Sequence, residues 1–97
     1  MAAHSLTLLT SIERNVTKPF NPLLGETFEL VTKDFKFIAE QVSHHPPITA
    51  FHCEGNSGYI LWSCNRTKSK FTGKSLTFTQ LCNVYIEFPD LNEKYEV

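Results

Sequence analysis

Polar and apolar residues alternate along most of the chain after residue 26, which is the pattern of half-buried β-strands. Six short segments carry strand-forming residues: 27–30, 35–40, 48–53, 59–64, 76–81 and 83–88. Turn-forming residues separate the later segments, at 55–58, at 71–73 and at Pro89-Asp90. The pattern predicts an antiparallel meander, either as a twisted sheet or as part of a β-barrel.

The beginning of the chain has a different period. Leu6, Leu9 and Ile12 are spaced by three residues, which predicts a short helix within 2–13. Two prolines follow, and the segment 14–26 is predicted to be an ordered loop that ends at Gly25. The expected fold class is therefore mainly β with a short N-terminal helix (α+β).

Length and charge narrow the class of protein. A chain of 97 residues with 41% hydrophobic residues is enough for one small domain. Nine basic and ten acidic residues are intermixed, and the net charge of −1 provides no field that would attract nucleic acid. The first ten residues lack the pattern of a secretory leader, and we expect a cytoplasmic protein.

Cysteine and histidine spacing gives little support for a cofactor or an enzyme. Cys53, Cys64 and Cys82 form no CxxC pair, so we expect free thiols and neither a zinc site nor a disulfide framework. His52 beside Cys53 matches no zinc spacing, and no nucleophile motif surrounds the cysteine. A metal- or thiol-dependent enzyme is the weakest hypothesis, and no cofactor is expected.

The sequence His44-His45-Pro46-Pro47 is the most informative segment. Adjacent histidines on a regular strand point to opposite faces, so they share a ligand only if the backbone turns between them. The prolines stiffen this segment and would hold the imidazoles ready for a phosphate, which accepts charge-assisted hydrogen bonds from protonated imidazole.

A second proline-stiffened loop would complete a phosphate site. It offers Lys18 as a fixed cation and main-chain donors at Asn21, Leu23, Leu24 and Gly25. Spacing alone leaves another interpretation open, in which the histidines only cap a strand and Lys18 is solvated.

Three cations alternate along one predicted strand face: Arg66, Lys68 and Lys70, with Lys74 nearby. Such a face discourages edge-to-edge pairing of strands. It could also attract anionic lipid surfaces.

Two segments resemble the signature of the oxysterol-binding protein and oxysterol-binding protein-related family of lipid-transfer proteins. They are KPFNPLLGETFEL at 18–30 and EQVSHHPP at 40–47, and the resemblance extends over most of 14–78. It implies an incomplete antiparallel β-barrel around a tunnel for a sterol or for the acyl chains of a phosphoinositide, exchanged between organelle membranes at contact sites. It also implies that Lys18, His44 and His45 bind the phosphates of phosphatidylinositol 4-phosphate, with help from the backbone near Asn21.

The resemblance also implies that the family's domain is several times longer than this chain. Residues 1–97 are therefore expected to be a single partial domain, the N-terminal portion of a ligand-binding domain, with peripheral contact to anionic membranes. Thr72 stands where relatives usually carry an aromatic residue. An open barrel edge predicts possible self-association, and the alternative function is an interaction module that pairs through this edge.

Overall fold

The computed structural model describes residues 20–97, which form an antiparallel sheet of seven strands. The strands are β1 (Thr27–Val31), β2 (Phe35–Ser43), β3 (Ile48–Gly55), β4 (Tyr59–Phe71), β5 (Leu76–Gln80), β6 (Val84–Phe88) and β7 (Glu93–Glu96). The predicted helix within 2–13 and the first part of the predicted loop, 14–19, lie outside the described residues. The mainly β fold class is confirmed, and the described segment 20–26 is a loop as predicted.

The first four strands follow the predicted meander. Each pairs antiparallel with the next, from the pair Thr27 and Glu40 between β1 and β2 to the pair Gly55 and Tyr59 that closes β3 onto β4. The predicted turn between β3 and β4 is present, and Gly58 adopts a positive φ of 87° there. Local alternation was enough to place these strands.

The later strands depart from a meander. β6 pairs with β4 rather than with β5, and β4 is a single strand to Phe71 that joins the predicted segment 59–64 to the predicted strand face at 66–70. The pairs Thr67–Gln80 and Ser63–Val84 fall in one continuous antiparallel register along β4. β5 and β6 are therefore two parts of a single strand that returns along β4 in a long hairpin.

Residues 81–83 interrupt this returning strand because the Cys82 thiol replaces a backbone carbonyl as the acceptor for one N–H of β4. The Leu81 N–H donates to the Arg66 carbonyl at 2.9 Å, as in a regular ladder. The Arg66 N–H donates instead to the Cys82 Sγ at 3.0 Å. The Ser63 hydroxyl then donates to the Asn83 carbonyl at 2.8 Å, and regular pairing resumes at Val84.

The register separates the sheet into two faces. Alternation places one set of apolar residues on a common side, which we call the apolar face: Phe28, Leu30, Phe37, Ala39, Phe51, Cys53, Leu61, Val84 and Ile86. Phe37 contacts Phe28 and Phe51, with ring centroids 6.3 and 5.7 Å apart. The opposite face carries Trp62 stacked on Tyr85 at 5.7 Å.

The sheet is open in the part of the chain that the structure describes. The strand order is β1-β2-β3-β4-β6-β7, with β5 paired only to β4, so β1 and β7 are edges. Two large side chains of the apolar face remain exposed, Phe28 and Leu30. No helix within 20–97 has the length and apolar character needed to cross a bilayer.

All three cysteines carry free thiols, and Cys53 is buried on the apolar face with 6% exposure. Burial raises the pKa of the Cys53 thiol. We expect iodoacetamide at pH 7.5 to alkylate Cys53 much more slowly than a free thiol, with a rate that rises with pH, because the thiolate is the reacting form. Peptide mapping by mass spectrometry checks this, with protein in urea as the control; equal rates in the two conditions would contradict it.

Candidate functional site

The His-Pro segment forms a tight turn between two paired strands. β2 ends at Ser43 and β3 begins at Ile48, and these two residues are paired. The rings of His44 and His45 lie side by side, with centroids 4.5 Å apart and planes at 57°. The backbone turn therefore meets the condition under which adjacent histidines can contact one ligand, and both side chains are exposed to receive it.

The geometry of this turn follows from its prolines and from an irregularity before it. The pairing of β2 with β3 shifts between Gln41 and Ser43, as in a β-bulge. Pro46 and Pro47 lack the N–H groups that would extend the ladder, so the strands cannot continue through them. The His45–Pro46 peptide bond is cis.

Gln41 is the residue at this site that the sequence interpretation missed. Its side chain is 2% exposed and lies just before the turn. The Nε2 group donates to the Ser43 carbonyl at 2.9 Å, and Oε1 accepts from the Thr49 hydroxyl at 2.5 Å. One side chain thus ties the end of β2 to the start of β3, on both sides of the histidines.

The backbone of Gln41 also holds the loop 20–26. The Gly25 N–H donates to the Gln41 carbonyl at 2.8 Å, and the Gln41 N–H donates to the Glu26 carbonyl at 3.0 Å. Gly25 adopts a φ of 78°, which favours glycine at this position. The loop that contains Asn21 and the turn that contains the histidines are therefore attached through the same residue, at the same end of the sheet.

Two of the main-chain donors predicted for a phosphate are engaged inside the protein. The Leu23 N–H donates to the Glu26 Oε2 at 2.8 Å, and the Gly25 N–H is bonded to Gln41. The prediction was wrong for these two groups, because Glu26 and Gln41 satisfy them locally. Asn21 is exposed and its role stays a prediction, whereas Lys18 lies outside the described residues.

The alternative metal or thiol site is not assembled. His52 and Cys53 are consecutive on β3 and point to opposite faces of the sheet. His52 contacts Glu54 at 3.1 Å on the exposed side, while Cys53 is buried. Within residues 20–97 no group of three or more His, Cys, Asp or Glu side chains is arranged to hold a metal ion.

Comparisons with known proteins give the context of this geometry. Oxysterol-binding protein-related protein 1 of Mus musculus is 47% identical over 98 residues, covering 98% of this chain and 10% of that protein. Oxysterol-binding protein-related protein 2 of Homo sapiens is 45% identical, covering 98% of this chain and 20% of that protein. The chain thus spans one tenth to one fifth of these two relatives.

Solved structures agree in fold. The Osh3 ORD of Saccharomyces cerevisiae, solved in complex with PI(4)P, matches with a TM-score of 0.73 and 38% identity, covering 90% of this chain and 25% of that one. The Osh1 ORD domain, solved in complex with cholesterol, matches with a TM-score of 0.70 and 44% identity, covering 81% and 20%. The family model described as oxysterol-binding protein matches residues 1–97, and the chain belongs to this family.

Proposed function

We propose that this chain binds a sterol or phosphatidylinositol 4-phosphate, as one portion of a domain that transfers such lipids between membranes. The observation that carries the proposal is the turn that places His44 and His45 side by side at the end of a sheet with an apolar face. Similar proteins solved with PI(4)P and with cholesterol support the choice of ligands.

The head-group phosphate would be held by His44 and His45, with Lys18 and Asn21 completing the site. Two neighbouring imidazoles in the protonated form offer two charge-assisted hydrogen bonds to one phosphate. Gln41 would act as a positioning residue, because its buried side chain holds the turn and its backbone holds the loop.

The apolar face would contact the hydrocarbon part of the lipid. Phe28 and Leu30 are partly exposed on this face, beside the smaller Ala39. Covering such surface with a sterol ring or an acyl chain contributes about 25 cal/mol per Å² of apolar area. Hydrocarbon burial would therefore supply much of the affinity, while the histidine turn would select the head group.

Transfer of a lipid requires no bond chemistry, only extraction from one membrane and release into another. Because the protein would have to reach both membranes, we propose that it is a peripheral protein at the cytoplasmic surface of organelle membranes. Every role named here is one of binding, and no catalytic residue is proposed.

The proposal is tested by flotation of the chain with liposomes that contain or lack phosphatidylinositol 4-phosphate. We expect binding that depends on this lipid, because its phosphate can accept hydrogen bonds from both imidazoles. A fluorescent sterol provides the second readout. Equal binding to both liposome types, together with no sterol binding, would contradict the proposal.

A second function is favoured by one observation: β1 and β7 are open edges in the described sheet. An edge strand can pair with a strand of another chain, or with a second copy of this one. In that case sedimentation equilibrium should show association that does not depend on lipid, and a proline in place of Glu29, whose N–H points away from β2 toward the open edge, should weaken it.

A further inference from the structure

The β4–β5 hairpin concentrates positive charge. We call residues 66–80 the basic hairpin; it contains four of the nine basic residues of the chain: Arg66, Lys68, Lys70 and Lys74. No acidic residue occurs between Glu54 and Glu87, although ten are present in the chain. A chain with a net charge of −1 therefore carries one segment of charge +4.

The basic hairpin projects from the end of the sheet that carries the histidine turn. The last residue of β4 that pairs with β3 is Arg66, whose partner Ile48 directly follows Pro47. β4 continues for five further residues to Phe71, which is about 17 Å of extended strand. The loop 20–26 lies at this end as well, because β1 begins there with the pair Thr27 and Glu40.

The two sides of the basic hairpin differ in chemistry. Strand alternation places Arg66, Lys68 and Lys70 on one side. The opposite side lies on the same face of the sheet as the apolar face, carries the polar residues Thr67 and Ser69, and ends in the pair Phe71 and Leu76, whose residues are 73% and 53% exposed. Large apolar side chains beside lysines at a protruding tip match the interface of a bilayer, which has anionic head groups above hydrocarbon.

The four cations have no competing partner in the part of the chain that the structure describes. Within 20–97 the one ion pair joins His52 to Glu54, on the central strand β3. The hairpin lysines are exposed, so their charge is available to an anionic surface.

We propose that the basic hairpin docks the protein on anionic membranes, with Phe71 and Leu76 inserted among the lipid head groups and the lysines in contact with lipid phosphates. The proposal rests on the proposed function in one respect: a head-group site must approach the membrane from which it takes its lipid, and the hairpin lies at that end. Docking itself needs only anionic lipid and no phosphoinositide.

The charge contribution is tested with vesicles of phosphatidylcholine containing phosphatidylserine and no phosphoinositide. The variant Lys68→Gln/Lys70→Gln is expected to lower the partition coefficient about 30-fold, since each lysine near an anionic surface contributes about fivefold. The matched control is Lys33→Gln/Lys36→Gln, which removes the same charge at the opposite end of the sheet. Lys36 pairs there with Val31, the last residue of β1. Equal losses in the two variants would overturn the proposal, as would binding that is insensitive to salt.

The apolar contribution has its own matched pair. Phe71→Ser is expected to weaken vesicle binding about tenfold, because partial insertion of a phenyl ring is lost. Val31→Ser removes an equally exposed apolar residue, 70% exposed, at the opposite end, and should have no effect. If Phe71→Ser binds vesicles as wild type does, or if the chain binds a polyanionic RNA as tightly as it binds vesicles, membrane docking is wrong.

Failure of the hairpin proposal can be told apart from failure of the proposed function. The soluble head group of phosphatidylinositol 4-phosphate reports on the histidine turn alone, and the hairpin variants should bind it as wild type does. Circular dichroism spectra of all variants should overlay, since every replaced side chain is exposed: Lys33, Lys36, Lys68, Lys70, Phe71 and Val31. A hairpin variant that loses head-group binding and vesicle binding together would indicate a change in the fold and would count against docking.

Discussion

Replacing His44 and His45 with alanine should lower the affinity for the soluble head group of phosphatidylinositol 4-phosphate by about 100-fold or more. The two imidazoles lie within 4.5 Å of each other between ring centroids, so one phosphate can contact both. A hydrogen bond to a charged group contributes about 1.5 to 3 kcal/mol, and the double variant loses two of them. Isothermal titration calorimetry at pH 6.5 measures the effect.

The control for this prediction is His52→Ala. His52 lies on β3 beside Glu54, away from the turn, and its loss should leave head-group affinity within about twofold of wild type. Sterol binding should survive in the double variant, because sterol would contact the apolar face. If sterol affinity and thermal stability fall together with head-group affinity, the histidines stabilise the turn and do not bind the ligand.

Gln41→Ala should lower the free energy of unfolding by about 2 to 4 kcal/mol, although it removes a polar side chain. Loss of the amide leaves the Thr49 hydroxyl and the Ser43 carbonyl without their partner, and each unsatisfied group costs about 1 to 3 kcal/mol when buried. Urea unfolding followed by circular dichroism measures the change. Head-group affinity should fall as well, with both histidines still present.

Gln80→Ala is the matched control for Gln41→Ala. Gln80 is an exposed glutamine at the end of β5 that donates to the Asn65 side chain at 3.0 Å, and its loss should cost less than about 1 kcal/mol. A further variant, Gln41→Glu, keeps an acceptor for Thr49 but places a buried carboxylate against the Ser43 carbonyl, and should be at least as destabilising as Gln41→Ala at neutral pH. Equal stability of Gln41→Ala and Gln80→Ala would show that Gln41 does not hold the turn.

The first half of the sheet could be predicted because each strand is defined by its own alternation. The segments 27–30, 35–40 and 48–53 all fall within observed strands, and the predicted turn at 55–58 begins and ends with glycine. The family and the histidine turn were recognisable from short motifs. In each case the information lies within a few consecutive residues.

The second half depends on pairing between distant residues. The alternating cations at 66–70 predicted an extended strand, but the local pattern did not show that this segment continues the strand that begins at Tyr59 or that β5 pairs along it. Cys82 alone separated the predicted segments 76–81 and 83–88, whereas the common register of β5 and β6 shows that both belong to one interrupted strand that returns along β4. A local pattern cannot show that a thiol will replace a backbone acceptor.

Gln41 was missed for a different reason. It follows Phe37 and Ala39 at intervals of two, so it stands on the apolar face, where a polar residue normally weakens a strand prediction. A glutamine on the buried side directly before a proline turn was the available signal. Buried polar groups require partners, so its position implied a local hydrogen-bond network.

The order of strands in this sheet has a consequence for folding kinetics. Every pairing within residues 20–97 joins segments that are close along the chain; the widest separation in the β4–β6 ladder is 27 residues, between Ile60 and Glu87. Such a topology has low contact order, and little loop-closure entropy is lost before a new strand gains its partner. The sheet can therefore assemble by successive addition of hairpins, and we expect refolding in milliseconds, faster than in sandwiches that must first join their distant ends.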